Sequence, residues 1–143
     1  MLAIEPISTG YQVMGLLHIL TAISTFGPMF LYPGLKKAGE TATIARLHMR
    51  LTFPSLVLLW VLGMGLAGMS KDRFELTHTW LALSIVIWVV LVVVSWMLIR
   101  PAITDDSPAA VSKMAAGTGV THLLLVVALI LMVWKPGDPV PGI

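Results

Sequence analysis

Residues 80–99 read WLALSIVIWVVLVVVSWMLI, twenty positions without a Lys, Arg, Asp or Glu. At about 1.5 Å per residue, a helix of that length spans ~30 Å, the thickness of the hydrocarbon core of a bilayer. Residues 89–94 are almost all β-branched, which in water favours a strand. In lipid a lone strand leaves its backbone unpaired, so the stretch is read as a helix. Three more uncharged stretches of similar length flank it, at residues 11–32, 51–69 and 115–134. The 143-residue chain is 57% hydrophobic and 11% charged, more apolar surface than a soluble domain of this size can enclose. The expected fold is therefore all-α: one polytopic transmembrane domain over residues 1–143, a four-helix bundle in the lipid bilayer.

The punctuation agrees with these spans. Pro33-Gly34 is expected to stop the first helix, Pro101 to follow the end of the third, and Pro136-Gly137 to stop the fourth. Tyr11, Tyr32, Trp80, Trp96 and Trp134 fall near span ends, where amphipathic rings meet headgroups. Trp60 and Trp88 lie deeper and call for packing or a ligand. The first ten residues hold no Lys or Arg and no cleavage pattern follows, so the first helix is expected to be retained. Lys36, Lys37, Arg46, Arg50, Arg100 and Lys113 gather on one side, against Lys71, Arg73 and Lys135 on the other. This bias places both termini outside the cytoplasm, in a membrane of the bacterial cytoplasmic type.

Composition also excludes functions. The net charge of +2 comes from nine scattered basic residues, which form no nucleic-acid-binding patch. Without cysteine there is no disulfide, thiolate metal site or iron–sulfur cluster. Every acidic residue lies outside the spans, so neither a hydrolytic triad nor an intramembrane carboxylate pair can form. No catalytic residue is assigned. Gly63-Met64-Gly65-Leu66-Ala67-Gly68 matches G-x-G-x-x-G in letters only, since it sits within a span instead of opening a helix after a strand. Gly63 and Ala67, one turn apart, read instead as a small-residue helix contact.

The polar residues inside the spans carry the functional signal, because hydrocarbon penalises them unless they meet partners or a cavity. His18, Thr21, Thr25 and Pro28 share one face of the first span; Thr118, Thr121 and His122 share a face of the fourth. His18 lies seven residues beyond Tyr11 and His122 twelve before Trp134, which puts their depths roughly 8 Å apart. Two imidazoles on facing helices are a standard way of holding haem iron, so His18 and His122 are the candidate cofactor and metal ligands, with haem b as the cofactor. His48, beside Arg46 and Arg50, reads as a headgroup contact, and His78 as an interfacial side chain. Met14 with His18 leaves a weaker copper option open.

Leu17-His18-Ile19, Leu31-Tyr32-Pro33, then Arg50, Pro54, Trp60 and Gly63, Trp80-Leu81 and the closing Met132-Val133-Trp134-Lys135-Pro136 resemble the small four-helix membrane families of HemJ, CopD-like and DUF2269 type. The resemblance covers most of the chain through short motifs. It implies a four-helix membrane fold and a haem b associated with His18. The chain departs from the HemJ pattern where that family has charged or amide groups, carrying Gly34, Ser84 and Thr118-Gly119 there. These departures argue against protoporphyrinogen oxidation, and His18 with His122 amid small and hydroxyl residues leads to the expectation of a histidine-lined site that binds haem b for electron transfer or haem handling. The alternatives are a non-catalytic accessory or scaffold subunit, docking a homo-oligomer or larger membrane complex through the Gly63/Ala67 face, and a copper or small-solute permease.

Overall fold

The computed structural model describes residues 8–70 and 74–138. Four helices cross the molecule: α1 (Thr9–Lys37), α2 (Thr41–Met69), α3 (Thr79–Thr104) and α4 (Pro108–Trp134), each long and apolar enough to span a membrane. No strand occurs among the described residues. The chain is an integral membrane protein with an all-helical, four-span architecture.

Local chemistry sets the helix ends. Ser8 caps α1, its hydroxyl accepting from the Tyr11 N–H at 3.3 Å. Between α3 and α4, Asp105 Oδ1 accepts from the Ser107 N–H at 2.8 Å, and Pro108 opens α4 where a missing N–H costs nothing. Asp105 also meets the Lys113 ammonium at 3.3 Å. The Ser107 hydrogen bonds, aided by Lys113, hold its carboxyl down at about 2. As the sequence implied, Pro136-Gly137 closes α4: Lys135 turns left-handed at φ 44°, and Gly137 sits at φ 82°.

The other prolines do not act as stops. Helix α1 runs past Pro33-Gly34 to Lys37. It breaks earlier, at Gly27-Pro28, and passes through a 3₁₀ turn at Pro28–Phe30. Any Cβ at Gly27 would lie 2.7 Å from the Ile23 carbonyl oxygen, so the tightened turn needs glycine. Pro54 and Pro101 lie inside α2 and α3, each just after a π-helical turn, His48–Thr52 and Ser95–Ile99. A proline ring collides with the carbonyl four residues back. The widened turn relieves that collision, with the Phe53 N–H reaching His48 O and the Arg100 N–H reaching Ser95 O. The spans are therefore longer than the apolar text suggested, by whole turns at the end holding the two short connections, 38–40 and 105–107.

That end, called closed below, is packed solid. Met29, Tyr32, Ile44, Ile99, Ala102, Ile103 and Met114 form one buried cluster. Gly117 lets α4 approach α3 so closely that a Cβ there would lie 2.8 Å from Ile99 Cγ1. Towards the other end the bundle separates into two pairs, α1 against α2 and α3 against α4, with little contact between pairs. A smaller cluster of Trp80, Leu81 and Leu131 ties α3 to α4 there.

Candidate functional site

A cavity of about 570 Å³ lies between the two pairs at the open end. Its size suits a cofactor or small organic ligand. The walls are apolar and aromatic, with Phe26 and Phe30 from α1, Trp60 from α2, and Trp80 and Trp88 from α3. Trp60 and Trp88 stack with centroids 5.5 Å apart, and the Trp88 indole N–H donates to the Leu56 carbonyl at 2.8 Å. This pairing accounts for the two deep tryptophans and joins α2 to α3.

His18 lines the cavity. Its ring fits against Gly63: a Cβ on that glycine would stand 3.2 Å from Cε1 and 3.7 Å from Nδ1. Nδ1 is buried without a hydrogen-bond partner of good geometry, and the Leu59 backbone is the polar group beside the ring. Gly65 receives Met14 in the same way, with Cε 3.5 Å from a Cβ position. The small residues of α2 thus accept side chains of α1 within the bundle, and Ala67 lines the cavity. Gly63 and Ala67, both half-buried, thus lie beside α1 and the cavity.

His122 is placed differently. Its ring stacks on Phe30 at 3.6 Å and 22°, and Nε2 lies 3.4 Å from the Phe26 carbonyl oxygen. The 3₁₀ turn explains the bond: the Phe30 N–H goes to Gly27 O and leaves Phe26 O without its usual helical donor. A carbonyl only accepts, so Nε2 must carry the proton of this tie. Phe26 is eight residues beyond His18, about 12 Å along α1. The structure does not bring the two imidazoles onto one site. His18 faces the cavity, and His122 fastens α4 to the break in α1.

The hydroxyl groups that marked a polar seam are mostly satisfied within their own helices. Thr21 donates to Leu17 O at 2.7 Å, Thr25 to Thr21 O at 2.9 Å and Thr121 to Gly117 O at 2.8 Å. The cross-helix polar bonds cluster at the closed end, among residues read as interfacial. Tyr32 is fully buried and shares a 2.8 Å bond with Thr52. Lys36 is buried and donates to Ile103 O at 2.7 Å. His48 is 0% exposed, with Nε2 3.2 Å from Ser95 Oγ, so it is a core residue and makes no headgroup contact. His48 and Ser95 are the first residues of the two π turns, each six residues before a proline. That shared spacing was the available signal for the pair. Lys71 and Arg73, part of the charge comparison, lie outside the described residues. No cluster of three or more His, Cys, Asp or Glu able to hold a metal occurs among the described residues.

The fit of haem b can be judged from these features. The cavity's size, its aromatic walls and the His18 imidazole among its lining suit a haem held by His18. The His122 position does not suit a second axial ligand to a haem at His18, because its ring is held at Phe26 and on Phe30, about 12 Å along α1 from His18. No family model, curated protein or solved structure matches the chain.

Proposed function

We propose that the protein binds haem b in the open-end cavity, through His18, for electron transfer or haem handling in a bacterial-type cytoplasmic membrane. The observation that carries this reading is the His18 ring in an apolar, aromatic-walled cavity of about 570 Å³. Its Nδ1 edge lies against α2, and Nε2, farther from Gly63, is the nitrogen left for a ligand. Such a division suits a ligating histidine, whose second nitrogen is oriented by neighbouring backbone. Trp80 Nε1 is a buried donor without an acceptor, and Lys135 holds its ammonium 4.7 Å from the centroid of the cavity-lining Phe74. These are the groups that would meet a ligand's carboxylates at the open end. When bound, haem would supply one-electron exchange, and the protein's part is to seat it away from water. No residue is assigned to a bond-making step, so the reading is not that of an enzyme. The basic residues at the closed end support an orientation with that end inward and both termini outward.

The test is an absorption spectrum of protein purified in detergent after expression with ample haem. The expected result is a Soret band that His18→Ala abolishes and His122→Ala retains. Absence of the band from the unmutated, folded protein overturns the reading.

A further inference from the structure

We infer that the cavity is open sideways to the bilayer between α1 and α4, and that an acyl chain of a membrane phospholipid occupies it when no cofactor does. This inference depends on the cavity and not on haem. The lining is exposed unevenly. Ile19, Ile23 and Phe30 on α1 are 58%, 61% and 66% exposed, and Leu129 on α4 is 52% exposed, although all four line the cavity. None of the lining residues of α3 is exposed, and among those of α2 only Trp60 is, at 40%. The α2–α3 seam is bridged by the Trp60–Trp88 stack. The α1–α4 seam is pinned only deeper, by Phe30, Phe26 and His122. Above that clasp, α1 and α4 stand apart, and the exposed Ile19, Ile23 and Leu129 form the rim.

What surrounds this rim is hydrocarbon, because it lies within the spans. An empty apolar volume of this size forfeits the dispersion contacts of its whole wall. Water does not replace them, since it needs two to four polar partners and the lining supplies few. An acyl chain already at the rim fills the space without crossing a polar layer. A cofactor reaching His18 then displaces a lipid chain, so occupancy is a competition within the membrane plane.

The experiment uses the full chain in vesicles of a phospholipid with a photoreactive diazirine midway along one acyl chain. Adducts are mapped by peptide mass spectrometry after illumination. The expected result is labelling of the inward-lining Ser84, Trp88 or Leu125 as well as the outward Val86 and Val93. Ala22→Phe with Ala128→Phe, which fills the cavity, should lower the inward adducts at least fivefold and leave the outward ones unchanged. Adducts confined to outward residues overturn the inference, as does inward labelling that the filled variant retains. Inward labelling that haemin fails to reduce supports the lipid assignment and counts against the haem reading. A Soret band in a protein lacking inward labels does the reverse.

Discussion

The two ends of the bundle are built from the same four helices and similar apolar text, yet they pack in opposite ways. At the closed end Tyr32, His48, Thr52 and Ser95 are buried and bonded across helices. At the open end the helix pairs part around a cavity whose cross-helix polar ties lie at its deep edge, Trp88 to Leu56 and His122 to Phe26. The difference shows where this chain places its stability and where it leaves room. In lipid there is no hydrophobic drive to bring helices together, so close packing and buried hydrogen bonds must do it. The closed end concentrates both, which allows the open end to stay apart.

The contrast can be broken most directly at His48. Its replacement by Ala removes a fully buried ring and strands the Ser95 hydroxyl, and should cost about 2–4 kcal/mol in detergent unfolding assays. A loss as small as that of an open-end variant would mean that the closed end is not the anchor. Tyr32→Phe is milder, since it deletes one bond to Thr52 and keeps the ring. An effect of about 0.6 kcal/mol, and not above ~1.7, is the range for a hydrogen bond between membrane helices. Ala128→Phe at the open end, which points into the cavity lining and belongs to none of the packed clusters, should change stability by less than ~0.5 kcal/mol, the scale of a substitution that disrupts no packed contact, while lowering ligand occupancy. A large stability loss there would show a wall tighter than the cavity implies.

Asp105 should matter least. Its carboxyl, held at about 2 against an ordinary 3.8, is partly exposed in the short α3–α4 connection. A folded value below the unfolded one means that its contribution is complete above pH 3.8 and disappears as pH falls through about 2. Asp105→Asn should therefore lower the thermal midpoint only slightly, with the difference from the unmutated protein fully present at pH 7 and vanishing below about pH 2. A drop at neutral pH as large as that of Tyr32→Phe would show that this turn helps hold the bundle.

Much of this was legible in the chain. Uncharged runs of twenty residues in so apolar a sequence leave a membrane-spanning helix as the only way to satisfy the backbone, so class, span number and rough span positions followed from residue type alone. His18 stood out for the same reason, as a titratable group where lipid penalises one. The helix ends of α1 and α3 at the closed side were misread because Pro33 and Pro101 were taken at their usual value. Flanking 3₁₀ and π turns absorb these prolines, and local sequence does not announce such turns.

What only the tertiary structure decided is which polar residues meet. A histidine on an apolar face carries the same one-dimensional signal whether it enters a cavity, as His18 does, donates to a carbonyl orphaned by a 3₁₀ turn, as His122 does, or is sealed beside a serine, as His48 is. The sequence sets the solvent and the periodicity, and these define four helices. The breaks within those helices rotate and shift the faces between them. Those rotations are settled by the packing of all four at once, and they separate an open cavity from a closed core.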